Sequence, residues 1–221
     1  MIVIYNKIII IINIIGRIMI PVVYFLLPSK TTACYRAMFD KLNQHRLQML
    51  NPPTIKWKTF IFDFESSLLS MFEIMKNDQS SIIFGIENLN YIGCYFHFCS
   101  AIYKWISEHG LIPTYKQENG KFKRFVKLLM SLAFADPQQI PTLFDIFIQD
   151  RLLLPQDLYD DDNVQSFLTY FRTKWIEGNN RPGAAFREIY DWLLFWNQST
   201  NDDNIRTTNH VESWHNILIR L

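Results

Sequence analysis

A mixed α/β fold with a helical insertion is what this sequence predicts, and three observations predict it. Two runs rich in β-branched residues open the chain. Apolar extended segments and helical patterns then alternate to about residue 120. From Lys121 to about residue 200 the texture is helical throughout. The expected order is strand, strand, helix, strand, helix, strand, helix, then an all-α stretch and a last helix.

Residues 8–27, IIIIINIIGRIMIPVVYFLL, admit two readings. The length suits a bilayer span, and no acidic residue precedes Asp40. Asn13, Gly16, Arg17 and Pro21 interrupt the run, however, and its Ile and Val content fits two buried strands joined around residues 13–17. A secretory signal is a poorer fit, because no small-residue cleavage site follows the apolar core. Pro28 then stops the strand, and Ser29, Thr31 and Thr32 are good caps for a helix over residues 33–49. Asn51-Pro52-Pro53 ends it. Residues 54–62, TIKWKTFIF, read as a strand entering a core and delivering Asp63 at its end, and a helix follows to about Lys76. Further extended sequence ends in NLNYIGCYFHFC, with a helix over 98–108.

In the insertion, KFKRFVKLLMSLAFA is amphipathic, Pro137 and Pro141 punctuate, and helices are expected at TLFDIFIQDRLL and over 164–176. Asp160, Asp161 and Asp162 read as a solvated turn. The closing helix, 205–221, carries an apolar stripe of Val211, Trp214, His215 and Leu218 beside a polar stripe of Asn209, Glu212 and Asn216.

The chain has 221 residues, with 22 Lys+Arg against 21 Asp+Glu and a formal net charge of +1. That balance excludes a uniformly basic nucleic-acid coat protein and an acidic tail, so any nucleic-acid contact must come from a local patch. A hydrophobic fraction of 49% and an aromatic fraction of 15% exclude disorder. Three cysteines, Cys34, Cys94 and Cys99, are too few for a disulfide framework and point to a reducing compartment. Asn197-Gln198-Ser199 is a formal glycosylation sequon of little weight.

Asp63 stands at the carboxyl end of a strand, where α/β sheets collect ligands, although a capping aspartate looks the same locally. Glu65 reads as a partner of the helix dipole. Glu212, flanked by amides and histidines, suits either a divalent metal or plain solvent. His210 and His215 are five apart, which excludes the zinc-protease spacing. Cys94, His97 and Cys99 invite a zinc reading that lacks a fourth ligand. Glycine-rich phosphate loops and nucleophile elbows are absent. Lys116, Lys121, Lys123, Arg124 and Lys127, interleaved with Tyr115, Phe122 and Phe125, form the one notable basic cluster; it suits a phosphate backbone or a solvated helix face.

Four segments in order, PVVYFLLPSKTTACYRAMF, FIFDFESSLLSMF, GCYFHFCSAIYKWI and RTTNHVESWHNILIRL, resemble the transposase domain of Mutator-like elements, across most of the chain. The run KFKRFVKLLMSLAFADPQQIP resembles the family's segment at that place. The resemblance implies a ribonuclease H-like mixed sheet flanked by helices, as in retroviral integrases, with an all-α insertion before the last helix. It divides the chain into a core over 1–120, the insertion over 121–203 and a final core helix over 204–221. It implies a DNA-cutting and strand-transferring site of two aspartates and a glutamate around Mg²⁺ or Mn²⁺. Asp63 matches the second aspartate and Glu212 the glutamate, as catalytic and metal-holding residues; Cys94 and His97 match a supporting Cys-x-x-His motif. The implied partners are DNA, as transposon ends, and further copies of the chain, and the implied location is the nucleus. Lys121, Lys123, Arg124 and Lys127 are the candidate nucleic-acid contacts.

The family's first aspartate lies on a strand ahead of the opening hairpin, and no acid precedes Asp40 here. The chain therefore reads as a fragment or decayed copy of a transposase, inactive as written. The alternatives are a non-catalytic nucleic-acid-binding remnant and an amino-terminally membrane-anchored protein, the latter weakened because buried strands already explain the apolar start.

Overall fold

The structure is a computed structural model that describes residues 7–15, 18–49, 59–77, 90–118, 120–179 and 189–199. The chain is α/β and rich in helix, and it forms two compact units. The first comprises Met1–Tyr91, Pro182–Ala185 and Thr207–Leu221; the second comprises Ile92–Arg181 and Phe186–Arg206. This division falls at Ile92, ahead of the change of texture near residue 121.

In the first unit, β1 (Lys7–Ile15) and β2 (Ile18–Leu27) pair antiparallel from Lys7 opposite Leu27 to Ile15 opposite Ile18. The β-branched runs make the strands. The register slips between Ile11 and Ile12, so Val22 is passed over and Pro21 lies beside the irregularity. Proline has no N–H to give a ladder, and a bulge is where a strand tolerates it. The carboxyl end of β2 is two-faced: Tyr24 and Leu26 are exposed while Leu27 is buried, so this end is not the fully covered strand that a continuous apolar run suggests. Among the described residues no helix is long and apolar enough to cross a membrane.

Helix α1 (Thr32–Leu47) starts at an N-cap on Thr31, whose hydroxyl accepts from the Cys34 amide at 3.3 Å. It buries Tyr35, Met38 and Phe39. Strand β3 (Thr59–Phe62) and helix α2 (Ser66–Asn77) follow. Phe39, Phe60 and Phe72 meet edge-on or tilted with ring centroids 4.8–6.2 Å apart, so one aromatic cluster ties α1, β3 and α2 together. Strand β4 (Asn90–Gly93) pairs with β3. Among the described residues the strands form two separate two-stranded sheets, where a single mixed sheet is expected from the sequence.

The second unit is helical. Helix α3 (Tyr95–Glu108) begins three residues before the expected start at residue 98, because Cys94 takes an extended N-cap conformation and its carbonyl accepts the first helical bond from the Phe98 amide at 3.0 Å. Cys94, Phe98, Ile102 and Ile106 are wholly buried, an i, i+4 stripe, while Phe96, which a strand reading of YFHFC would place on the same face as Cys94 and Phe98, is exposed. Gly110, at φ +74°, reverses the chain, and the Leu111 amide bonds back to the Ile106 carbonyl at 3.1 Å in a Schellman closure.

Next come α4 (Ile112–Tyr115), α5 (Lys121–Ser131), a 3₁₀ turn at Leu132–Phe134, another at Pro137–Gln139, and α6 (Ile140–Gln149). Short α7 (Gln156–Tyr159) leads to α8 (Asp162–Phe171), which runs into one π turn, Arg172–Ile176, and α9 (Ile189–Trp196) follows. The acidic cluster at 160–162 has structural work: the Asp161 carboxylate caps α8 by accepting from the Asn163 and Val164 amides at 2.9 and 3.0 Å. The π turn is held by α9. The Trp192 and Trp196 indoles donate to the successive carbonyls of Lys174 and Trp175, each at 3.0 Å. After α9, Asn197 is buried and its side-chain amide donates to the Ala135 carbonyl at 2.8 Å, so the sequon nitrogen is committed to the fold.

Candidate nucleic-acid interface and strand-end carboxylate

Each unit carries part of the expected site. In the first, Asp63 directly follows β3 and its side chain is exposed, as the strand-end reading requires. Phe64 then takes a left-handed φ of +66°, which a bulky residue avoids unless its surroundings hold it there. The bend turns the chain from β3 into α2 and separates two carboxylates with different fates. Asp63 faces solvent. Glu65 turns inward, its side chain only 13% exposed, and its carboxylate accepts from the Tyr35 phenol and lies 4.0 Å from the Lys30 ammonium. The helix-dipole reading of Glu65 is therefore incomplete: its carbonyl receives the Leu69 amide at the start of α2, but its carboxylate binds back to α1 and the residue before that helix's cap.

Tyr35 is wholly buried. Burial pushes its phenol well above its ordinary value, and the hydrogen bond to Glu65 and the charges of Glu65 and Asp63 push it the same way. Next to it, Cys34 accepts or donates at 3.1 Å with the Ser29 hydroxyl, and the hydroxyls of Ser29, first, and Thr31 hold its thiol below the usual range. The pairing of Tyr35 and Lys30 with Glu65 is not visible in the sequence, because the partners lie 30 or more residues apart. The Ser29–Thr31–Cys34 group is visible, as polar residues bunched at a helix start.

Oxygen donors of the aspartate and glutamate type suit Mg²⁺, which keeps several waters and takes one or two carboxylates from a protein. Asp63 fits that role by its exposure; Glu65, already engaged, does not. Glu212 lies outside the described residues. Among the described residues no three His, Cys, Asp or Glu side chains gather where an ion could sit.

In the second unit, Cys94 and His97 occupy the N-cap and the third position of α3, so the strand-to-helix turn places both on the first turn. Cys94 is buried and His97 half-buried. Cys99 lies further along the same helix, and burial pushes its thiol up, partly offset by a hydrogen bond with Tyr95.

The basic cluster is where sequence and geometry agree most closely. Phe122, Phe125, Val126 and Leu129 of α5 are buried, while Lys121, Lys123, Arg124 and Lys127 are exposed. At about 100° per residue the four cations share an arc of roughly 160°, opposite an apolar arc of roughly 100°. No acidic residue lies on α5. Lys116 is exposed just before it, and the Lys123 ammonium sits 5.8 Å from the centre of the Tyr115 ring. The result is one cationic face with an aromatic residue beside it.

Compared with known protein families, with characterised proteins and with solved structures, the chain matches none.

Proposed function

We propose that this chain is a transposase-derived domain of the ribonuclease H-like class that engages DNA, with the α5 cations meeting the phosphate backbone. The observation that carries the reading is the exposure of Lys121, Lys123, Arg124 and Lys127 on one face of a helix anchored by four buried apolar residues. Such a face presents several positive charges at a rigid spacing to a duplex that carries a negative charge about every 1.7 Å along its axis. The four segments that resemble Mutator-like transposases give the reading its class, and with it go a nuclear site of action, transposon ends as the DNA and pairing with further copies.

The test is binding of the full chain to a 30-base-pair duplex across a series of KCl concentrations, read by fluorescence anisotropy. Each of Lys123→Ala, Arg124→Ala and Lys127→Ala is expected to lower the slope of log affinity against log salt by about 0.9 if its charge meets a phosphate. Wild-type chain without salt-dependent binding would sink the reading.

The exposed carboxylate of Asp63 favours a second reading, in which Asp63 and Glu212 hold Mg²⁺ or Mn²⁺. A bound metal pair of that kind activates a water or a 3′-hydroxyl and steadies the leaving oxygen. Asp63 would serve as an oxygen ligand at the strand end, and the strained turn at Phe64 would fix its direction. Mn²⁺ binding followed by electron paramagnetic resonance checks this: Asp63→Asn and Glu212→Gln should each weaken it, and unchanged binding in both removes the site.

A further inference from the structure

A second feature of the helical unit concerns what kind of DNA is engaged, and it rests on the DNA-binding reading above. The side chains of His109, Trp105 and Tyr170 form a continuous stack. His109 lies on Trp105 with ring centres 3.8 Å apart and planes 6° apart; Tyr170 lies on Trp105 at 4.9 Å and 14°. Two rings nearly parallel to a third, at those separations, occupy its opposite faces. The order is therefore His109, Trp105, Tyr170.

The two ends of the stack differ. Tyr170 is backed by protein: the buried Phe167 ring is 6.4 Å away, and the Lys174 ammonium stands 5.7 Å from the Tyr170 ring centre and 5.3 Å from that of Trp175. His109 is exposed. It caps α3, its Nδ1 lying 2.9 Å from the Trp105 carbonyl, which fixes the ring against rotation. The next residue, Gly110, has open space where a side chain would be, with nothing within 4 Å of a Cβ built there. The outer face of the imidazole thus ends the stack beside an open surface. Lys104, the residue before Trp105, is exposed and paired with Glu108 at 3.7 Å, and Lys174 is exposed at the Tyr170 end of the stack.

A rigid, pre-stacked aromatic face open to water is what an unpaired nucleobase recognises, since every base has a π-face, and exposed lysines on the same helical unit are suited to the phosphates of its strand. A paired base inside a duplex cannot reach such a face. We propose that the open face of His109 is a stacking platform for an unpaired base of DNA, so that the helical unit holds single-stranded or frayed DNA through this stack.

The test uses the full chain with an oligothymidine carrying one 2-aminopurine, whose fluorescence falls when it stacks, beside a fully paired duplex. Wild-type chain should quench the probe in the single strand and not in the duplex. His109→Ala should weaken single-strand binding by roughly 5- to 150-fold, the loss of one base–aromatic stack. It should leave duplex affinity and its salt slope unchanged. His109→Tyr, which keeps a ring at the platform, should restore quenching. Should the melting temperature of His109→Ala fall, His109→Gln replaces it as a polar, ring-free variant. Single-strand affinity equal in wild-type chain and both ring-free variants overturns the platform while leaving the α5 reading standing. Absence of binding to either DNA overturns both.

Discussion

The phenol of the buried Tyr35 donates a hydrogen bond to the carboxylate of Glu65, a residue 30 positions further on. That bond joins α1 to the turn that ends β3 and starts α2. Thr32 reinforces it, its hydroxyl donating to the Ser67 carbonyl at 3.2 Å, so two side chains of α1's first turn grip the amino end of α2. Asp63, between strand and bend, is positioned by this grip without taking part in it.

Removing the phenol tests the grip. In Tyr35→Phe the ring still fills its place, but the Glu65 carboxylate, mostly buried, loses its hydroxyl donor, while the more distant Lys30 remains. A hydrogen bond to a charged group contributes about 1.5–3 kcal/mol, and urea unfolding should show a loss of that order. The pH dependence has a sign. Because the folded-state phenol ionises above its ordinary value of 10.0, the unfolded chain loses its proton first as pH rises. Stability from this group is therefore complete below about pH 10 and declines above it. Tyr35→Phe should show a shallower alkaline decline than the wild-type chain.

Cys34 should be the most reactive of the cysteines. The Ser29 hydroxyl, and then that of Thr31, favour its thiolate, whereas burial pushes Cys99 up and Cys94 is wholly buried. Iodoacetamide labelling followed by peptide mass spectrometry should find Cys34 modified first. The pH at which its labelling rate reaches half of maximum should lie below that of an ordinary thiol. Ser29→Ala should move that pH upward, and earlier labelling of Cys99 would contradict the assignment.

What the sequence reveals here is local pattern, and what it conceals is long-range. The hairpin of residues 7–27, the cap on Thr31 and the two faces of α5 follow from residue types at short spacing, and all three are present. Phe64 in a left-handed conformation is invisible in advance, because glycine or asparagine is the usual marker of that backbone. The early start of α3 is hidden because YFHFC suits a strand by propensity; the exposure of Phe96 between the buried Cys94 and Phe98 is what a helix gives and a strand does not. The π turn has no sequence signal either: it exists where α9 supplies two indole donors from 18 and 21 residues away. Of the candidate site, the exposed face of the α5 cations and the strand-end place of Asp63 are legible, while the Trp105 stack depends on Tyr170 arriving from another helix.

The backbone at Phe64 gives a prediction that runs against the usual order of substitutions. At most positions glycine is less stable than alanine by about 0.5–1 kcal/mol, owing to the freedom of the unfolded chain. At φ +66° alanine keeps the clash of its Cβ with the following carbonyl, worth roughly 1–2 kcal/mol, while glycine escapes it. Both lose the same half-buried ring. Phe64→Gly should therefore be at least as stable as Phe64→Ala in urea unfolding. If Ala is the more stable by the ordinary margin, the left-handed bend is not what carries the chain from β3 into α2.

The last prediction concerns the two tryptophans of α9. Trp196 is wholly buried, stacks on Phe98 at 4.9 Å with planes 11° apart, and donates to the Trp175 carbonyl; Trp192 donates to Lys174, the adjacent carbonyl. Replacing either indole by phenyl keeps most of the packing and removes the donor, leaving a carbonyl of the π turn without it. An unsatisfied buried acceptor costs about 1–3 kcal/mol, so Trp196→Phe should destabilise by that order. Trp192→Phe should cost less, because its indole is the less deeply enclosed of the two. The carbonyls belong to one turn, whose geometry changes as a unit. Once either donor is gone the turn can relax toward ordinary α-helix, and the second donor then has less to hold. The double variant should therefore cost less than the sum of the two single losses, by about 0.5 kcal/mol or more, in a double-mutant cycle read by urea unfolding. Strict additivity would mean that each indole satisfies its own carbonyl independently and that the π turn is held by its own chain.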